Sequence, residues 1–307
     1  MIYNQIIDFT VSDNTAYLLN IYFKESHIYR IDQLAFMGVA ICGYMLYQGS
    51  YEVPQTPDSL YTNLIMLAQI LSTAAVGIHL LVGKYVGLDQ KTWGYHNSPK
   101  LLATSVIFIS AMSLWTNYFN ELADLPNNMQ EAFEMIMRNP LGIISVVIMA
   151  PIVEELLFRG AILGHLLRKW KHPAGAIVLS SLIFGVVHGN WVQAPFAFVT
   201  GLALGWIYYR TGSLLPGILM HFVNNSAAVI SFLSADDPNA TMVSTYGQTG
   251  AALMAAAGMV LTIICVLFIQ KKLVPQPAVW HQPAQAETIE IENNTLSSQT
   301  HSHNENI

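Results

Sequence analysis

The stretch Glu154-Glu155-Leu156-Leu157-Phe158-Arg159 places three ionisable residues inside the apolar run 141–167. A hydrocarbon core about 30 Å thick is crossed by roughly 20 residues of helix, and this run is long enough. An Asp, Arg or Lys at the bilayer centre costs about 2.5–3.5 kcal/mol on insertion scales, so ionisable residues in a span usually have a partner or a function. The stretch therefore predicts a membrane helix that carries a buried polar site.

The composition of the whole chain agrees with a membrane location. Its 307 residues are 53% hydrophobic and only 10% charged, and the mean hydropathy is +0.42, whereas soluble domains carry about 25% charged residues. We predict an all-α, polytopic membrane helix bundle of about eight transmembrane helices with the polar site inside it. The candidate spans are 31–49, 60–83, 101–119, 141–167, 174–189, 194–210, 213–233 and 249–270.

Basic residues give an independent test of these spans, because cytoplasmic loops carry an excess of Lys and Arg. With both termini in the cytoplasm, eleven of the thirteen basic residues fall on that side. We therefore divide the chain into a cytoplasmic segment 1–30, three N-terminal spans 31–119, an extracytoplasmic loop 120–140, a core 141–233, a last loop and span 234–272, and a polar tail 273–307. The tail has a composition that cannot bury a core, so we predict that it is disordered.

Helical spacing separates the ionisable residues of the first motif. Glu155 and Arg159 are four residues apart, so they share a helix face and can form an ion pair. Such a pair fits a structural role as well as a functional one. Glu154 lies about 100° further around the helix and cannot share the same contact. It is therefore the carboxylate left free for chemistry.

Polar residues on two later spans provide partners for Glu154. His188 follows Phe184 by four residues, and His221 precedes Asn225 by four. A single histidine in a span is more often a helix–helix hydrogen bond than a catalyst. A free carboxylate, two imidazoles and an amide together supply the base and the oxyanion donors that hydrolysis of a peptide bond needs.

These residues resemble the three motifs of the CAAX protease and bacteriocin-processing family, also called the type II CAAX prenyl protease or Abi family. Its EExxxR, FxxxH and HxxxN motifs correspond to 154–159, 184–188 and 221–225, and the resemblance covers roughly 141–230. It implies an intramembrane endopeptidase whose catalytic residues are Glu154, His188, His221 and Asn225, supported by Glu155, Arg159 and Phe184.

The resemblance also implies a role for each catalytic residue. Glu154, assisted by His188, would activate a water molecule, while His221 and Asn225 would stabilise the oxyanion. Glu155 and Arg159 would pair and orient the first motif.

Members of the family have been described both as glutamate proteases and as metalloproteases. Glu154, His188 and His221 could bind zinc and leave one position for water. The chain lacks HExxH, the usual zinc-protease signature on a helix, and Glu155 would have to leave Arg159 to act as the base. We favour a metal-free enzyme without a cofactor, with zinc as the alternative.

Partners and location follow from the same resemblance. We expect a membrane-associated protein or peptide substrate within the lipid bilayer, and no nucleic acid, because no basic stripe is present. The short loops resemble bacterial members, which places the chain in a bacterial plasma membrane, with peptide maturation or bacteriocin self-immunity as roles. The alternative function is a non-catalytic immunity or scaffold protein that binds peptide in the same cavity. Transport is disfavoured, since the two halves show no inverted repeat.

Overall fold

A computed structural model of the protein describes residues 35–49, 58–87, 98–234 and 240–280. These residues form helices joined by turns, and no strand occurs among them. The helices are α1 Ala35–Gln48, α2 Ser59–Val82, α3 Pro99–Ala123, α4 Gln130–Met137, α5 Pro140–Lys169, α6 Pro173–Val187, α7 Gln193–Thr211, α8 Leu215–Ser234 and α9 Met242–Leu273.

The helices agree with the predicted spans, and the helical membrane bundle is confirmed. Among the described residues, five helices are long and apolar enough to cross a membrane, namely α2, α3, α5, α8 and α9. The apolar helices α1 and α6 are shorter, with 14 and 15 residues, so the count of eight spans stays a prediction. The cytoplasmic segment 1–30 lies outside the described residues.

Local sequence signals set several helix ends. Asp58 Oδ1 accepts a hydrogen bond of 2.7 Å from the Tyr61 backbone N–H at the start of α2, and this bond lowers the pKa of the Asp58 carboxyl group. Asn139, which precedes the first turn of α5, accepts in the same way from the Leu141 backbone N–H. Gly212 ends α7 with a φ of +67°, a left-handed conformation that glycine adopts without strain.

Helix α5 lies at the centre of the bundle and contacts α2, α6, α7 and α8. The largest helix pairs are α3 with α9 and α6 with α7. Small residues allow this close approach, because a Cβ added at Gly258 would lie 2.6 Å from the Ala111 carbonyl oxygen, and one at Gly201 would lie 3.0 Å from Ser181 Cβ. Packing between small residues is the usual source of helix association in lipid.

The start of the predicted tail is packed against α7. The buried Arg210 donates to the carbonyl oxygens of Gln270 (3.2 Å) and Pro275 (3.0 Å). Trp280 Nε1 donates to the Tyr209 carbonyl oxygen at 3.0 Å. Composition assigned this segment to the disordered tail, whereas these contacts make residues 274–280 part of the fold. Residues 281–307 lie outside the described part of the chain.

Candidate active site

The ion pair predicted from the first motif is formed and fully buried. Arg159 Nη1 donates to Glu155 Oε1 at 2.8 Å, with side-chain exposures of 1% and 0%. Arg159 also donates through Nη2 to the Gly201 carbonyl oxygen at 3.3 Å, and its guanidinium lies 4.4 Å from the centre of the Phe184 ring. One arginine side chain therefore connects α5 with α6 and α7.

Phe184 is the apolar platform on which both histidines are arranged. Its ring is buried and meets the His188 ring at a centroid distance of 4.9 Å and the His221 ring at 5.8 Å. Both contacts are edge-to-face, as is a third with Phe158 at 5.0 Å. The residue that the second motif requires before its histidine thus brings the three motifs together.

His221 lies between the two glutamates, a contact that the sequence did not predict. Its Nδ1 is 3.1 Å from Glu155 Oε1, and its Nε2 is 3.8 Å from Glu154 Oε2. Glu155 accepts from Arg159 as a carboxylate, so the proton in the Nδ1 contact belongs to His221. Glu155 therefore orients the imidazole as well as balancing Arg159.

Glu154 differs from Glu155 in both exposure and partners. Its side chain is 33% exposed, against 0% for Glu155. Its Oε2 atom is buried, yet it accepts no hydrogen bond from any described residue. Buried polar atoms are almost always paired. Glu155 Oε2 is likewise buried without a hydrogen bond, so the two glutamates differ in exposure, and Glu154 is the one that solvent can reach.

His188 is held through Nδ1 by the backbone of its own helix. Its Nδ1 lies 2.7 Å from the Phe184 carbonyl oxygen, so Nδ1 carries the proton and Nε2 presents its lone pair. Among the described residues, no ion pair joins His188 to Glu154 or Glu155. The histidine nearest to Glu154 is His221, although the family pattern pairs Glu154 with His188.

Asn225 is held by an irregularity in α5. The segment Ser145–Met149 is π-helical, and the Ala150 N–H bonds to the Ser145 carbonyl oxygen. The next possible donor to the Val146 carbonyl is residue 151, a proline without an N–H. Asn225 Nδ2 supplies the missing donor at 2.9 Å. This bond docks α8 on α5 and leaves one amide hydrogen of Asn225 for other use.

A second π-helical segment, Leu156–Leu163, begins directly after Glu155. The two glutamates therefore sit on one α-helical turn, Ala150–Glu155, between two widened segments. π-Helical turns inside α-helices are frequent at functional sites. Pro151, which belongs to none of the three motifs, is the sequence signal for this irregularity.

Two further contacts at the site were not predicted. A Cβ added at Gly217 would lie 3.0 Å from Glu155 Oε2, so only glycine leaves the carboxylate its present room. Asn224 donates through Nδ2 to Asn225 Oδ1 at 3.3 Å, and its Oδ1 accepts a hydrogen bond from Ser113 Oγ at 3.1 Å. No spacing rule distinguished these residues from ordinary helix-packing residues.

Within residues 35–49, 58–87, 98–234 and 240–280, no group of three or more His, Cys, Asp or Glu side chains is placed to hold a metal ion. Glu154 Oε2 and His221 Nε2 are 3.8 Å apart, whereas no ion pair joins His188 to Glu154 among the described residues. The zinc ligands considered from the sequence are therefore not assembled in this conformation.

The site lies within a region that matches a known protein family. Residues 137–227 match the family model "Type II CAAX prenyl endopeptidase Rce1-like". The resemblance drawn from the three motifs is confirmed. The matched segment runs from the last residue of α4 to α8 and contains every residue of the candidate site.

Two curated bacterial proteins are similar to the same chain. One is the "Putative membrane peptidase YdiL" of Bacillus subtilis (strain 168), 33% identical over 103 residues, which is 34% of this chain and 42% of the relative. The other is the "Membrane-embedded CAAX protease MroQ" of Staphylococcus aureus (strain USA300), 30% identical over 108 residues, or 34% and 44%. The chain therefore spans less than half the length of these relatives. No solved structure matches the chain significantly.

Proposed function

We propose that the protein is an intramembrane endopeptidase that cleaves a membrane-associated protein or peptide, with Glu154 as the general base. The observation that carries the proposal is the contrast between adjacent glutamates. Glu155 is fully buried and its Oε1 holds Arg159 and His221, whereas Glu154 is 33% exposed and its Oε2 lies 3.8 Å from His221 Nε2. A base must reach a water molecule and keep a lone pair for its proton. Glu154 meets this requirement, because its side chain is 33% exposed whereas that of Glu155 is 0% exposed.

The two histidines have different tasks because their Nδ1 atoms have different partners. His188 donates to a carbonyl oxygen, so its Nε2 accepts a hydrogen bond and can hold the attacking water beside Glu154. His221 donates to the carboxylate of Glu155 and can therefore carry a second proton at Nε2.

Hydrolysis can then proceed without further groups. Glu154 removes a proton from water as its oxygen attacks the scissile carbonyl carbon, and the carbonyl becomes an oxyanion. His221 Nε2–H and the free amide hydrogen of Asn225 stabilise this oxyanion. Glu154 passes the proton to the leaving nitrogen as the C–N bond breaks. Removal of one such donor costs about 2.7–4 kcal/mol of barrier in a well-studied protease.

The test is a comparison of membrane peptides from cells that produce the wild-type protein, Glu154→Gln or Glu131→Gln. Glu131 is an exposed residue of α4 and serves as the matched control. New protein termini measured by mass spectrometry should occur with wild type and Glu131→Gln and disappear with Glu154→Gln, at equal protein levels. If Glu154→Gln yielded the same termini, Glu154 would not be the base; if wild type yielded no termini beyond those of cells without the protein, the protein would be the non-catalytic peptide binder that forms the second candidate.

Metal dependence is a separate part of the proposal. We favour metal-free catalysis, supported by the finding that no group of three or more His, Cys, Asp or Glu side chains in the described part of the chain is placed to hold a metal ion. Elemental analysis of the purified protein should find zinc well below one equivalent, and chelators should leave cleavage unchanged. Stoichiometric zinc together with chelator-sensitive cleavage would refute it.

A further inference from the structure

A second cavity, with polar and apolar side chains in its wall, adjoins the candidate active site. A cavity of about 640 Å³ lies between α3, α4, the start of α7 and α8. Ten of the twenty residues that line it are Ser, Asn, Gln or Glu. Ligand sites typically have volumes of about 300–1,000 Å³. The cavity is therefore large enough for several residues of an extended peptide, and its amide and hydroxyl groups can pair with peptide N–H and C=O groups.

The cavity lies next to the catalytic residue Asn225 of α8. Asn224 lines it and is hydrogen-bonded to Asn225. Two further lining residues, Ala228 and Phe232, continue the face of α8 that carries Asn225, since residues three or four apart share a helix face. On the opposite wall, Asn190 follows His188 by two residues. A chain bound at the catalytic residues can thus extend into the cavity.

Helix α4 covers the cavity and is fastened at both ends. At one end, Asn190 Nδ2 donates to Asn127 Oδ1 at 3.1 Å, and Asn128 Nδ2 donates to the Gly189 carbonyl oxygen at 3.3 Å. At the other end, the Arg138 guanidinium lies 5.2 Å from the centre of the Phe232 ring. The face of α4 that contributes to the lining is thereby held over α8.

Glu134 on α4 is the one charged residue among the described residues that line the cavity. Arg138 lies one helical turn away and could have paired with it, but its guanidinium is on Phe232 instead. Within the described part of the chain, Glu134 has no ion pair and accepts one long hydrogen bond, from Gln130 Nε2 at 3.4 Å. A half-buried carboxylate in this position favours a cation as its partner.

We propose that the cavity binds the substrate chain beside the scissile bond and that Glu134 selects a lysine or arginine side chain there. This inference rests on the proposed function and names the substrate class of the same site. Ala228 and Phe232 lie three and seven residues beyond Asn225, or about 4.5 and 10.5 Å along α8 at 1.5 Å per residue. An extended peptide advances about 3.3 Å per residue. The selected basic residue therefore lies one to three residues from the cleaved bond.

The experiment uses the purified full-length protein in lipid nanodiscs and a synthetic peptide library that varies each position independently. Wild type should cleave peptides with Lys or Arg one to three residues from the scissile bond, on one side only. Glu134→Gln should lower kcat/KM for these peptides about tenfold, the value of a charge-assisted hydrogen bond of about 1.5 kcal/mol. Peptides with glutamine at that position should be cleaved as before.

Reversal of the charge at Glu134 provides the more demanding part of the experiment. Glu134→Lys should change the preference to Asp or Glu at the same position, whereas Glu131→Lys, on the exposed side of α4, should leave the preference unchanged. Thermal unfolding confirms that each variant is folded, and Glu134→Gln carries the test if the lysine variant is not. Cleavage without a basic preference, or a preference retained by Glu134→Lys, overturns this inference alone. A wild type that cleaves no peptide overturns the proposed function with it.

Discussion

Replacement of Arg159 by methionine tests whether the buried ion pair holds the site together. Methionine fills much of the same volume but removes the guanidinium from Glu155 Oε1, the Gly201 carbonyl oxygen and the Phe184 ring. Glu155 would then keep His221 as its one hydrogen-bonded side chain within the described residues, at an exposure of 0%. The variant should be destabilised and should lose activity together with its stability.

The size of the effect follows from the burial of both partners. Removal of one member of a buried ion pair typically costs about 3–5 kcal/mol, because the other charge stays buried without its partner. The lost contacts with Gly201 and Phe184 belong to the same deletion and are included in that range. For a large domain, 1 kcal/mol corresponds to roughly 2–4 °C in Tm, so a decrease of about 10 °C is expected.

The assay is thermal unfolding of the purified protein in detergent, followed by tryptophan fluorescence. The matched control is Arg168→Met, an exposed arginine on the same helix, which should change Tm by less than about 2 °C, as surface substitutions usually do. The double variant Glu155→Gln with Arg159→Met should recover part of the loss, since the orphaned charge is gone. Equal effects of Arg159→Met and Arg168→Met, or strict additivity in the double variant, would refute the reasoning.

Two further predictions concern other contacts. Gly217→Ala places a Cβ 3.0 Å from Glu155 Oε2 and should reduce cleavage severalfold by displacing the carboxylate that orients His221. The control Gly43→Ala, where a Cβ meets nothing within 4 Å, should leave the cleavage rate unchanged. Equal rates for the two variants would contradict this role of Gly217. Arg210→Met removes the donor to the carbonyl oxygens of Gln270 and Pro275 and should expose residues 274–280 to limited proteolysis. Lys272→Met is the exposed control. Unchanged protection in Arg210→Met would show that the remaining contacts hold the segment without this side chain.

The sequence was most informative where a local rule applied. Apolar runs long enough to cross a bilayer predicted the helices, because backbone groups in lipid must be satisfied within the helix. The four-residue spacing of Glu155 and Arg159 predicted their ion pair, since neighbours on a helix face are fixed by its geometry. The ordered motifs indicated the family, which the match over residues 137–227 bears out.

Contacts between helices could not be read from the sequence. The position of His221 between Glu154 and Glu155 depends on how α8 packs against α5, and no residue pattern within either helix specifies that packing. The bond from Asn225 to Val146 requires a carbonyl freed by a π-helical segment and by Pro151. Composition also misassigned residues 274–280, whose place depends on one buried arginine in α7.

The sequence by itself thus determined the class of fold, the set of polar residues and the separation of Glu154 from the Glu155–Arg159 pair. All three follow from hydropathy and helical periodicity, which act over a few neighbouring residues. Only the tertiary structure decided which nitrogen of each histidine is engaged, which glutamate stays partly exposed and where a cavity lined by Glu134 adjoins the site. These features arise between helices distant in sequence, and the physical reason is that a hydrogen bond or an ion pair depends on the relative position of atoms to within a few tenths of an ångström.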